Sequence, residues 1–81
     1  MLITGNQLRA ARALANVDQA WVAKAADVAV NTIRNMEARG ANPITSGAVT
    51  LRNVQSALER LGVEFLNGDG PGVRLKKERK A

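Results

Sequence analysis

The chain contains no cysteine, no histidine and no tyrosine, and its aromatic content is one tryptophan, Trp21, and one phenylalanine, Phe65. Without cysteine there is neither a disulfide nor a thiolate to act as nucleophile or metal ligand. Without histidine the commonest metal ligand and the commonest general base are both missing. The only serines are Ser46 and Ser56, and neither has a neighbour that would activate it. The seven carboxylates are scattered without a paired arrangement. The sequence therefore predicts no enzyme: no catalytic residue, no metal, no cofactor and no small-molecule substrate. Long apolar runs are also lacking. No segment approaches the roughly 18 residues a membrane span needs, so no membrane insertion is expected. Neither a basic n-region nor an apolar h-region follows Met1, so a signal peptide is not expected and a cytoplasmic, nucleoid-associated location is.

What is present is charge of one sign. Twelve Lys and Arg stand against seven Asp and Glu, a net charge of +5 over 81 residues. The isoelectric point near 10.8 favours a polyanionic partner, either nucleic acid or an anionic membrane surface. A chain this short builds one domain with a limited core, for which a partner subunit is a reasonable expectation.

Helical punctuation runs through the first three quarters of the chain. Thr4-Gly5-Asn6-Gln7 fits a capping box, and Leu8, Ala11, Leu14 and Ala15 follow at helical spacing up to Asn16, a residue that tolerates the left-handed terminal position. Asp18 is placed to cap a second helix, whose apolar stripe is Val22, Ala23 and Ala26. Asp27-Val28-Ala29 breaks that stripe. From Val30 a third helix is predicted, with Ile33 and Met36 inward and Asn31, Arg34 and Asn35 outward. Gly40 and Pro43 end it. A fourth helix is predicted from about Gly47 to Leu61, with Leu51, Val54, Leu58 and Leu61 on one face and Ala57 beside them, and Gly62 ends it.

The period then changes to two. Val63-Glu64-Phe65-Leu66 and Gly72-Val73-Arg74-Leu75-Lys76 alternate around the turn-rich Asn67-Gly68-Asp69-Gly70-Pro71-Gly72, which predicts a β-hairpin. Its apolar side, Val63, Phe65, Val73 and Leu75, either covers the helices or pairs with a second subunit. The alternating glycines are no phosphate loop, because no Gly-Lys-Ser/Thr follows and no helix opens there. The expected organisation is a mostly α fold, a compact four-helix domain over residues 1–62, the hairpin over 63–76 and a basic tail over 77–81.

Two short helices joined by about three residues form a helix-turn-helix, whose second helix can lie in a DNA major groove. The ordered set Gln19-x-x-Val22-Ala23-x-x-Ala26-x-Val28-x-x-x-Thr32-Ile33-x-x-x-Glu37 resembles the helix-turn-helix core of the Cro/C1-type (xenobiotic-response-element type) bacterial and phage regulators, and the resemblance covers roughly residues 4–62. Two positions depart from that family: Asp27 stands where glycine is usual in the turn, and Ala29 where Ser or Thr often caps the recognition helix. The resemblance implies that Ala29, Val30, Asn31 and Asn35 occupy base-reading positions, with Arg34 nearby. The chemistry agrees, since Asn suits adenine, Arg suits guanine and small apolar groups suit the thymine methyl. It implies that Gln19 grips phosphate, that Arg12 pairs with Glu37 to tie the first helix to the third, and that the loop holding Arg39 and Asn42 runs beside the DNA backbone. Arg12 could otherwise be a free phosphate contact, and Arg39 and Asn42 part of a plain solvated loop. Arg52 is a further phosphate candidate. Thr32 either touches phosphate or closes the helix start.

Trp21 has two readings, partial burial under the C-terminal segment or a contact with a partner, since Trp is enriched at interface centres. The expected function is a sequence-specific transcriptional regulator, most simply a repressor, binding an inverted-repeat operator in double-stranded DNA as a homodimer. A regulatory protein partner is compatible with it. The rival expectations are a protein-interaction module, an antitoxin or adaptor, working through Trp21 and the hairpin, and a nonspecific basic binder driven by the tail.

Overall fold

A computed structural model describes residues 1–76, and the basic tail predicted over 77–81 lies outside the described residues. Four helices, α1 (Gly5–Ala15), α2 (Gln19–Ala26), α3 (Val30–Ala38) and α4 (Ala48–Glu59), are followed by an antiparallel hairpin of β1 (Val63–Leu66) and β2 (Gly72–Leu75). The fold is mostly α with a C-terminal hairpin. None of the helices among the described residues is long and apolar enough to cross a membrane.

Local chemistry accounts for the helix boundaries. At the start of α1 the Thr4 hydroxyl accepts from the Gln7 N–H at 3.1 Å, while the Gln7 carboxamide accepts from the Thr4 N–H at 3.0 Å, which closes the capping box. Asn16 ends α1 at φ 60°, and the Asp18 carboxylate caps α2 by accepting from the Trp21 N–H at 2.8 Å. Asp27 ends α2 at φ 60°, in the left-handed region that glycine and asparagine normally fill. α3 begins at Ala29 with no side-chain cap, so backbone alone closes its first turn, the Thr32 N–H donating to the Ala29 carbonyl at 3.0 Å. Gly40, at φ 58°, lets the chain leave α3 with its N–H on the Glu37 carbonyl.

The buried core takes Leu8 and Ala11 from α1, Val22, Ala23 and Ala26 from α2, Ile33 and Met36 from α3, Val54, Ala57 and Leu58 from α4, and Val63 and Phe65 from β1. Two leucines expected there lie outside it. Leu14 is 41% exposed: the hairpin is fastened to α1 at its Gln7 end, and Leu14 sits two turns farther along the same side. Leu61 is 39% exposed because α4 stops at Glu59 and the chain has already turned, so helical spacing no longer aims it inward. The apolar side of the hairpin is arranged as expected, with Val63 opposite Leu75 and Phe65 opposite Val73, and it covers α1 and α4. Only its β1 half is fully buried, and Leu75 stays exposed.

The hairpin is held by the buried Gln7 as well as by packing. Its Nε2 donates to the Leu66 and Gly72 carbonyls, both at 3.1 Å, while its Oε1 also accepts from the Ile3 N–H at 2.7 Å. The N-terminal strap is laced in turn to the α3–α4 loop, the Ile44 N–H donating to the Ile3 carbonyl at 2.8 Å.

α1 begins pressed against the end of α3. The Asn6 N–H donates to the Gly40 carbonyl at 2.9 Å, and a Cβ on Gly5 would lie 2.5 Å from the Met36 carbonyl oxygen and 2.7 Å from that of Glu37. Those neighbours are backbone and cannot turn aside. Gly5→Ala should therefore lower stability by about 1–3 kcal/mol or more, whereas Gly68→Ala, where nothing lies within 4 Å, should change it by roughly 0.5 kcal/mol or less. Urea unfolding midpoints of the two variants test the difference, and equal midpoints would refute the close approach.

Candidate nucleic-acid interface

The side of α3 that faces inward carries a charge as well as Ile33 and Met36. The Glu37 side chain is 3% exposed, and Arg12 of α1, itself 21% exposed, binds it bidentately, Nε to Oε2 at 2.5 Å and Nη2 to Oε1 at 3.0 Å. Gln19 Nε2, at the start of α2, donates to Oε1 at 3.1 Å, and Arg9 Nε lies 3.8 Å away on the solvent side. One carboxylate thus joins three helices. Hydrogen bonding to Glu37 pushes the Arg12 guanidinium further above its already high pKa, against the opposing effect of burial. A cation whose folded pKa is raised keeps its contribution at every pH below the unfolded value, so Arg12 stays charged and this half of the pair is lost only in strong alkali. The geometry gives Arg12 to the fold, and its third nitrogen, Nη1, donates to the Val17 carbonyl at 3.3 Å.

The turn sets the direction of α3. With Asp27 left-handed, the Val28 N–H reaches the Ala23 carbonyl at 2.9 Å and the Val28 side chain packs on the core. α3 then presents Ala29, Asn31, Arg34 and Asn35 to solvent, with Val30 and Thr32 half-buried along its edges. Within this face Arg34 Nη1 donates to Asn31 Oδ1 at 2.8 Å, an i, i+3 pair.

The other candidates fall into separate groups. Gln19 shares the Glu37 cluster. Arg39 and Asn42 lie together in the exposed loop after α3, where Arg39 Nε donates to the Pro43 carbonyl at 2.9 Å and the Asn42 N–H donates to the Arg39 carbonyl at 2.9 Å. Arg52 is exposed on α4, beside Met1 and Gln55 at a cleft of about 160 Å³ that includes no α3 residue. A second cleft, about 280 Å³ between the start of α1 and the hairpin, also excludes α3. Neither cleft belongs to the α3 face, and a major groove is wide enough to admit an α-helix.

The hairpin packs on α1 and α4, and Trp21, on α2, is 38% exposed. The sequence reading missed the second task of Gln7 and the Arg34–Asn31 contact. The first is a long-range partnership with no local signal, whereas the i, i+3 spacing of the second was available. Among the described residues no group of three or more Asp, Glu, His or Cys converges as metal ligands would. No family model matches the chain, and no curated protein matches it.

Removing either end of the Arg12–Glu37 pair should have unequal effects. Arg12→Ala leaves a buried carboxylate without its main partner and should cost about 3–5 kcal/mol. Glu37→Gln leaves a neutral amide that still accepts from Gln19, and an arginine with a route to water, and should cost about 1–2 kcal/mol. Chemical denaturation of both variants checks the order, and a reversed order would show that the pair is not anchored on Glu37.

Proposed function

We propose that the chain is a Cro/C1-type helix-turn-helix protein that binds double-stranded DNA sequence-specifically and regulates transcription, most simply as a repressor. The observation that carries this reading is the exposed Asn31, Arg34, Asn35 face of α3, backed by buried Ile33 and Met36 and anchored through Glu37. The N-terminal half of α3 enters the major groove, where Ala29, Val30, Asn31, Arg34 and Asn35 meet base edges. Gln19, Thr32, Arg39, Asn42 and Arg52 supply phosphate contacts that fix register without reading sequence. Gln19 serves both ends, with one amide N–H on Glu37 and the other left for phosphate. The net charge of +5 favours the approach to DNA.

One such domain reads few base pairs, so the protein acts as a homodimer on an inverted repeat with half-sites about 34 Å apart. It works in the cytoplasm at the nucleoid, and a second protein supplies regulation where protein level does not. The exposed Trp21 favours one alternative, the same fold used as an interaction module on a protein partner.

Selection from a randomised DNA pool followed by fluorescence-anisotropy titration tests the reading. Selection should converge on an inverted repeat preferred over scrambled DNA by roughly a thousandfold or more, with two chains per site in analytical ultracentrifugation. Replacing Asn31 and Asn35 together by Ala should remove most of that preference while the salt-dependent background binding and the circular dichroism spectrum persist. If no site emerges and binding disappears with salt, the charge is a nonspecific attractor and the proposal fails. If Trp21→Ala rather than the double substitution abolishes function, the interaction module replaces it.

A further inference from the structure

The base-reading face of α3 contains one internal contact, and it changes what two of its residues can do. Arg34 Nη1 donates to Asn31 Oδ1 at 2.8 Å, with both side chains exposed. A guanidinium has donors only, so the contact itself fixes the Asn31 amide: Oδ1 faces Arg34 and the NH₂ group faces away. An asparagine that reads adenine bidentately must turn Oδ1 to the adenine N6–H and the NH₂ group to N7. Here one of the two Oδ1 lone pairs is already engaged by Arg34 in the next turn, so Asn31 meets a base only together with Arg34.

We infer that Asn31 is a positioning residue for Arg34 and that the two form one donor-presenting unit directed at guanine, whose O6 and N7 are both acceptors in the major groove. This rests on the DNA-binding reading above and refines it: Asn31 does not specify adenine independently. Asn31 removes rotamer freedom from a long, otherwise mobile guanidinium and leaves its planar fork free for O6 and N7. The Asn31 NH₂ group adds a donor beside the fork, which a second acceptor such as N7 of an adjacent purine or O4 of thymine can meet. Asn35, one residue beyond Arg34, makes no side-chain hydrogen bond to this pair and remains an independent reader.

The test uses the full chain and the site selected from the randomised pool, with each base pair of the half-site then varied singly in anisotropy titrations. Wild-type protein should prefer G·C at one position by roughly tenfold to a hundredfold, and 7-deazaguanine at that position, which lacks the N7 acceptor, should weaken binding about tenfold. Arg34→Ala and Asn31→Ala should both relax preference at that same base pair, and the double variant should be no worse than Arg34→Ala alone. Arg34→Lys, which keeps the charge and loses the fork, should relax preference while leaving the salt dependence unchanged. Three results would overturn the inference while leaving specific DNA binding intact. In the first, the two substitutions relax different base pairs and their effects multiply, so the residues read separately. In the second, Asn31→Ala removes an adenine preference. In the third, Arg34→Ala weakens all sequences evenly and lowers the salt slope by about one, which makes it a phosphate contact. Failure of wild-type protein to select any site would instead overturn the DNA-binding reading, and this inference with it.

Discussion

A single buried carboxylate holds the first three helices of this molecule in register. Burying a charge costs several kcal/mol unless partners replace the lost water. Glu37 has them from two directions, two nitrogens of Arg12 and one of Gln19. Its partners lie on α1 and α2, so the cost is offset only when α1, α2 and α3 are all in place. An apolar contact between the same helices would tolerate small slips, because burial is nearly indifferent to direction. A bidentate guanidinium–carboxylate pair is not indifferent, since its two hydrogen bonds require a common plane. α3 is nine residues long and has no side-chain cap at Ala29, too short to be stable as an isolated helix. Its direction is therefore a tertiary property, fixed by Glu37 at one end and by Val28 in the turn at the other.

Gln7 performs the corresponding task toward the hairpin with no charge. A two-stranded hairpin is marginal in water, and here the strands are four residues each. Phe65 and Val63 supply the apolar cover, and the Gln7 amide supplies the direction by donating to a carbonyl on each strand. Both hubs draw on α1, Arg12 on the side facing α3 and Gln7 on the side facing the hairpin. The core is aliphatic apart from one phenylalanine, and apolar packing alone does little to select one arrangement over its neighbours. Satisfied buried polar groups restore that selectivity, and among the described residues no buried side-chain nitrogen or oxygen lacks a partner.

What was legible in the sequence was local. Thr4 with Gln7, Asn16, Asp18 and Gly40 each act within a few residues of themselves, so their types and spacing were enough to place helix ends. The hairpin strands and their apolar side followed from period-two alternation around a turn-rich stretch. The misplaced residues all depended on something distant. Leu14 and Leu61 have helical spacing to the core, but spacing cannot tell how far a covering element extends or where a helix has already stopped. Gln7 reaches carbonyls 59 and 65 residues away, and no local pattern announces such a partnership. The candidate face of α3 was legible as a face, because Ile33, Met36 and Glu37 define its back. The Arg34–Asn31 contact within it was not read, although its spacing allowed it.

The dependence of α3 on Glu37 separates two kinds of residue that a DNA-binding measurement would otherwise confuse. Asn31, Arg34 and Asn35 are exposed, and replacing them alters what the surface offers without disturbing what holds it. Arg12 is turned inward, and replacing it disturbs the support without altering the surface. Under the proposed function, loss of Arg12 would lower affinity for every sequence in proportion to the fraction of protein with α3 out of place, whereas loss of a reader would change the order of preference among sequences. Gln19 stands between the two classes, because its amide holds Glu37 while its position at the start of α2 suits a phosphate. The same carboxamide that aligns the reading helix would then fix its distance from the duplex backbone, coupling the register of the fold to the register on DNA.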